Sequence, residues 1–123
     1  MASTVRDVMT TDLHVMSGVA TAVEAAAVMR DEHVGDVLVC DEAGLRGIVT
    51  DRDIAIRAVA GGLDPGECQL DEIATGDVFT VSPETKLDSV VSVVRDKTIR
   101  RIPVLEGLRP VGMVTLGDLG RGP

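Results

Sequence analysis

Apolar residues recur along the chain in two rhythms, and each rhythm occurs twice. Leu87, Val90, Val91 and Val94 stand at i, i+3, i+4 and i+7, the spacing of one buried helix face. Earlier in the chain Ala22, Ala25, Ala26 and Met29 carry the same spacing with smaller side chains. Alanine there keeps the face apolar. It either lets another backbone come close or fills a shallow core position. Short apolar runs supply the second rhythm. Val37 to Cys40 and Leu45 to Thr50 flank Asp41-Glu42-Ala43-Gly44, and Arg101 to Leu105 and Arg109 to Thr115 flank Glu106-Gly107, so two hairpins are predicted.

The recurrence is a tandem duplication. At an offset of 65, with no gap from Val5 to Gly120, identical residues coincide at Thr10/Thr75, Asp12/Asp77, Arg30/Arg95, Gly47/Gly112, Thr50/Thr115 and Asp53/Asp118, among others. Each unit is expected to begin with a helical lead-in (Val5 to Met9; Leu70 to Ala74) and a short strand (Leu13 to Met16; Val78 to Val81). The longer helix, the hairpin and a closing helix follow. The first closing helix is predicted from about Asp51 to Ala60, stopped by Gly61-Gly62 and Asp64-Pro65-Gly66. The second has little room before Gly120, Gly122 and Pro123. The expected division is therefore repeat 1 over residues 1–60, a linker over 61–69 and repeat 2 over 70–123. A unit this small buries only about 60% of its unfolded surface, which makes one copy marginal. Two copies packed face to face would share a core and leave a cleft with one strand-to-helix junction on each side. The fold class is α/β (α+β), with a short sheet and flanking helices in each repeat and pseudo-twofold symmetry.

Charge and composition exclude several partners. The formal net charge is -8, which repels nucleic acid and anionic lipid. With no Trp or Tyr, and Phe79 as the one Phe, a base-stacking platform is missing. Residues 1–65 carry 11 acids against 5 bases, and residues 66–123 carry 9 against 7, so the second half is the better host for a small anion. No long apolar stretch or leader pattern is visible, and a cytoplasmic location is expected. Cys40 and Cys68 show no CxxC spacing, and Cys40 reads as a buried small hydrophobe. His14 aligns with Phe79 as a strand packing position, and His33 lies at a helix end. Asp51-x-Asp53 is followed by Ala55 and Ile56, which do not fit an EF-hand loop, so no metal is expected. No GxSxG, Walker A or GxGxxG sequence occurs, and the chain is not expected to be an enzyme.

The candidate chemistry lies where the last strand of each repeat becomes a helix. Residues 47–53 read Gly-Ile-Val-Thr-Asp-Arg-Asp and residues 112–118 read Gly-Met-Val-Thr-Leu-Gly-Asp. A helix start offers unpaired N–H groups, a threonine hydroxyl can donate to a phosphate or sugar oxygen, and an aspartate offers two acceptors for vicinal ribose hydroxyls. Thr50, Asp53, Thr115 and Asp118 are thus candidate ligand-binding residues. The same Thr-x-x-Asp pattern is also a capping box, in which threonine and acid satisfy the helix's own N–H groups.

A repeated unit with G-h-h-T-x-x-D at this junction, preceded by Ile99-Arg100-Arg101-Ile102-Pro103-Val104, resembles a pair of cystathionine-β-synthase (CBS) domains, the Bateman module. The resemblance spans Val5 to about Gly120. It implies a regulatory module whose cleft binds an adenosine compound such as AMP, ADP, ATP or S-adenosylmethionine, and which pairs into a homodimer. No cofactor is required by it. Asp51 brings negative charge to the first junction, whereas neutral Leu116-Gly117 lies at the second, with Lys97, Arg100, Arg101 and Arg109 near in sequence. Arg100 and Arg101 therefore join the candidate site, and the second junction is the expected phosphate host. The first repeat departs from the pattern, with Leu38 in place of Pro103 and Gly35-Asp36 in place of Arg100-Arg101. The expected function is a stand-alone sensor that reports nucleotide state to an unknown protein partner. The alternative is a ligand-free interaction or stress-response protein whose junction residues only cap helices.

Overall fold

A computed structural model describes residues 3–97 and 101–115. A short 3-10 turn, Val5–Asp7, opens the chain, followed by β1 (Val15–Ser17), α1 (Ala22–Glu32), β2 (Asp36–Asp41), β3 (Gly44–Thr50) and α2 (Asp51–Asp53). The helix continues past α2 as a π-helical segment, Ile54–Val59. Then come α3 (Leu70–Ile73), α4 (Leu87–Lys97), β4 (Arg101–Glu106) and β5 (Arg109–Thr115). The fold is α+β, and its elements occur as two repeats.

The repeats match in register as well as in sequence. In the antiparallel β2–β3 pair Asp36 faces Thr50, with a bulge between Val39 and Cys40. In β4–β5 Arg101 faces Thr115, with the bulge between Val104 and Leu105. Both hairpins fall where the sequence places them. β1 adds to β2 in parallel, a pairing that needs the long crossover supplied by α1.

The chain divides into two compact units whose borders differ from those of the repeats. One unit comprises residues 1–13 with 78–123, the other residues 14–77. Each repeat body thus keeps the lead-in of the other repeat. Thr75 exchanges backbone hydrogen bonds with Ile48 (3.1 and 2.9 Å), and Thr10 does the same with Met113 (both 2.9 Å). This pairing explains why the lead-ins are shorter than the predicted helices. Ala74 must turn extended (ψ 144°) to bring Thr75 to the strand edge, so α3 ends at Ile73.

In the unit of residues 14–77, Ala22, Ala25 and Met29 of α1 pack on Val37, Val39 and Val49 of the sheet, with Ala58, Cys68, Leu70 and Ile73 completing the core. Ala26, expected on this face, is exposed instead. A capping box starts α1: the Glu24 N–H donates to Thr21 Oγ1 (3.2 Å) and the Thr21 N–H to Glu24 Oε1 (3.0 Å). His33 ends it in the left-handed conformation (φ 56°), as a helix-end residue should. Residues 61–69 lie against α1 rather than free of it, since Val23 and Ala22 donate their N–H groups to the carbonyls of Pro65 and Cys68. The predicted closing helix over 51–60 forms but is wound in π turns, with Ala60 N–H bonded to the Ala55 carbonyl five residues back.

In the other unit Leu87, Val90 and Val94 of α4 pack on Ile102, Val104, Val114 and Val5, while Val91 is half-buried. Phe79 packs against this cluster although it lies outside any strand. The strand predicted over Val78 to Val81 is reduced to a single parallel bridge between Val81 and Val104. Proline is the cause. In the first repeat Leu38 donates its N–H to the His14 carbonyl (2.9 Å), one of the bonds that hold β1. Its counterpart Pro103 has no N–H to give, so the ladder cannot extend. β1 itself begins two residues later than predicted, at Val15. Among the described residues no helix is long and apolar enough to cross a membrane.

Candidate functional site

β3 ends at Thr50 in an extended conformation (φ -106°, ψ 165°), and the chain enters helix at Asp51. Both halves of a capping box are made there. The Asp53 N–H donates to Thr50 Oγ1 (3.1 Å), and the Thr50 N–H donates to Asp53 Oδ2 (2.9 Å). The second carboxylate oxygen, Oδ1, lies 3.7 Å from Arg57 Nε. Arg57 in turn donates from its terminal nitrogen to the carbonyl of Ile73 at the end of α3 (3.2 Å). Asp51 turns its carboxylate onto the Arg52 N–H (2.8 Å). At the first junction, then, the acid nominated for a ribose is engaged within the chain, while the Thr50 hydroxyl accepts a bond and keeps its own proton to donate.

The cap sets a stability expectation. Thr50→Ala should lower unfolding free energy by about 1 kcal/mol, and Thr50→Ser should be close to neutral, because the hydroxyl is what accepts the Asp53 N–H. Urea denaturation of the three proteins reads this. Equal stability of Thr50→Ala and wild type would remove the cap from the account.

The second junction is described up to Thr115, which ends β5 directly opposite Arg101. Both residues are half-buried and each makes further contacts. The structure thus brings Arg101 and Thr115 together, as it brings Thr50 and Asp53 together. Arg100, Asp118 and the second closing helix lie outside the described residues. At the position equivalent to Arg101 the first repeat has Asp36, opposite Thr50. The matched register therefore sets a cation at one junction where the other has an anion.

The glycines that open both motifs are pressed by the exchanged lead-ins. A Cβ on Gly47 would meet the Thr75 carbonyl oxygen at 2.5 Å, and one on Gly112 would meet the sulfur of Met9 at 2.6 Å. Space kept at these positions is filled by neighbouring chain. Two recesses lie elsewhere in the same unit as the first junction. One, of about 370 Å³, is at the far end of the sheet beside Cys40, Asp41 and Asp71, and does not include Thr50 or Asp53. The other is a shallow groove of about 410 Å³ along α1 and the π-helical segment. Cys40 is half-buried rather than buried, and Cys68 is buried. Burial pushes both thiols up, helped at Cys40 by Asp41 and at Cys68 by Glu72 and Asp71, which suits neither for nucleophilic chemistry. Among the described residues no group of three His, Cys, Asp or Glu side chains is placed to hold a metal.

The sequence model of the CBS domain matches the chain twice, over residues 5–59 and 70–121. The chain belongs to the CBS-domain family. It is 36% identical over 117 residues to the CBS domain-containing protein YhcV of Bacillus subtilis, covering 95% of this chain and 83% of that protein. Hypoxic response protein 1 of Mycobacterium tuberculosis is 33% identical over 120 residues, covering 97% and 84%. A crystal structure of Hypoxic Response Protein I with two coordinated zinc ions superposes with a TM-score of 0.87, 33% identity and coverage of 98% and 99%. The CBS domain pair of MJ0100, in complex with 5′-methylthioadenosine and S-adenosyl-L-methionine, superposes with a TM-score of 0.83 at 25% identity, covering 98% and 95%. CBS-domain proteins are in general regulatory rather than catalytic, and the tandem arrangement here is that of a CBS pair.

Arg57 was not singled out by sequence reasoning, although a signal for it exists. Asp53 and Arg57 stand at i and i+4 on one helix, the spacing at which opposite charges meet.

Proposed function

We propose that this CBS pair is a regulatory protein that binds an adenosine-type ligand through its second junction, with Asp118 holding the ribose and Arg101, Arg100 and Thr115 serving its anionic end. The observation that carries this reading is the register contrast: Arg101 faces Thr115 where Asp36 faces Thr50. A phosphate is favoured beside a guanidinium and disfavoured beside a carboxylate. The adenosine compounds bound to the CBS pair of MJ0100 support the ligand class. Thermal-shift screening with AMP, ADP, ATP, NAD and S-adenosylmethionine tests it. A ligand at 100 times its dissociation constant stabilises the fold by about 2.7 kcal/mol, an easily read shift. No shift with any of them would favour the second reading, a ligand-free interaction protein. The intact capping box at Thr50 and Asp53 is the observation on that side.

The partner proposed is a second copy of the chain. Val23 (51% exposed), Ile56 (49%), Val59 (61%) and Leu63 (41%) present apolar surface on α1, the π-helical segment and the turn that follows. Ala26 and Ala27 line the groove along them and would let a neighbouring helix approach closely. Light scattering should give twice the chain mass for wild type and one chain mass for Val59→Asp. Because Val59 is exposed, the variant should still fold. A wild type that stays at one chain mass across a concentration series would overturn the dimer.

A further inference from the structure

We infer that Arg57 is a positioning residue that closes the first junction to ribose, an inference that rests on the junction acids being ribose ligands as proposed above. An aspartate holds a vicinal diol with one acceptor site on each oxygen, and each oxygen has two. At Asp53, Oδ2 accepts the Thr50 N–H and keeps a second site, while Oδ1 faces the Arg57 cation, which competes with a hydroxyl for it. Arg57 is held there from its far side by the Ile73 carbonyl, so the guanidinium bridges the junction acid and the end of α3. The Asp53 side chain is only 15% exposed, which leaves it little freedom to turn toward a ligand instead. Position 122, the counterpart of Arg57 in the second repeat, is glycine.

The size of the effect is limited by exposure. The Arg57 side chain is 50% exposed, so the ion pair is screened, and with its one hydrogen bond it restrains Asp53 by on the order of 10-fold in ligand affinity. Wild type should then hold one adenosine ligand firmly and a second one weakly.

The test is calorimetric titration with AMP in a background where the second junction is disabled. Asp118→Ala should bind weakly, and Asp118→Ala/Arg57→Ala on the order of 10-fold more tightly, with a larger preference for AMP over 2′-deoxy-AMP. Adding Asp53→Ala to the double variant should abolish binding. An Arg57 substitution that merely disturbed the helix would weaken binding and leave the deoxy preference unchanged. If Arg57→Ala does not fold, Arg57→Met keeps the apolar stem and removes the charge, and the same comparison applies. Affinity unchanged or reduced on loss of Arg57 overturns the clamp while the second-junction reading stands. Wild-type binding that depends on Asp53 and ignores Asp118 overturns the second-junction reading, and the clamp is then read directly from Arg57→Ala against wild type. Absence of AMP binding in every variant overturns both.

Discussion

Gly47→Val is expected to destabilise the protein by about 3 kcal/mol, at the upper end of what overpacking costs. The reason is the exchanged lead-in. Even the first carbon of a side chain at 47 would sit 2.5 Å from the carbonyl oxygen of Thr75, and 3.1 Å from its carbon. A backbone carbonyl paired to Ile48 cannot step aside without losing that pairing. Gly112→Val should cost less, about 1 kcal/mol. There the nearest atom is the sulfur of Met9, the mobile part of a flexible side chain, although the Thr10 carbonyl stands behind it at 3.1 Å. Gly76→Ala is the control, since its nearest neighbour would be the Arg46 carbonyl at an ordinary 3.5 Å. Chemical denaturation ranks the three. If Gly47→Val were as stable as Gly76→Ala, the lead-in of the second repeat would not lie on β3 in solution.

Arg101→Glu is expected to weaken binding of a phosphate-bearing adenosine ligand on the order of 100-fold, the loss of one to two charge-assisted hydrogen bonds plus the repulsion that replaces them. Affinity for adenosine itself should change little, because the ribose and base do not need the cation. The reverse change, Asp36→Arg, should raise phosphate affinity at the first junction by removing the carboxylate that faces Thr50. The contrast with salt is also predicted: the wild-type preference for AMP over adenosine should shrink as ionic strength rises. Equal losses for AMP and adenosine in Arg101→Glu would mean that the arginine supports the strand and does not meet the phosphate.

The sequence carried the hairpins well because each is local. Alternating apolar residues and a turn signal within a dozen positions are enough to place β2 with β3 and β4 with β5. The repeat offset carried further, since it predicts that whatever holds for Thr50 holds in register for Thr115. What it could not carry was partner choice. Leu70 to Ala74 and Val5 to Met9 look like lead-ins to their own repeats, and nothing local says that Thr75 bonds to Ile48 or Thr10 to Met113. Ala26 misled for a related reason. Alanine fits a core face or a close external approach equally, and only the packing of Ala22, Ala25 and Met29 decides that Ala26 points outward. Pro103 is a visible departure between the repeats, but its effect on the strand at Val81 follows only from the bond that Leu38 makes from its N–H to His14. At the candidate site the motif named Thr50 and Asp53 correctly as neighbours. It could not tell cap from ligand, because the same two groups serve both. The structure adds the contact of Arg57 with the acid of the first junction.

The most direct test of the central claim is titration calorimetry of wild type and Asp118→Ala with AMP and 2′-deoxy-AMP. Wild type should bind AMP and reject the deoxy ligand on the order of 100-fold, since a carboxylate set for two hydroxyls is left with an unmet acceptor when one is missing. Asp118→Ala should bind AMP far more weakly and lose most of that discrimination. Binding that is unaffected by Asp118→Ala, or that treats the two nucleotides alike in wild type, would contradict the account.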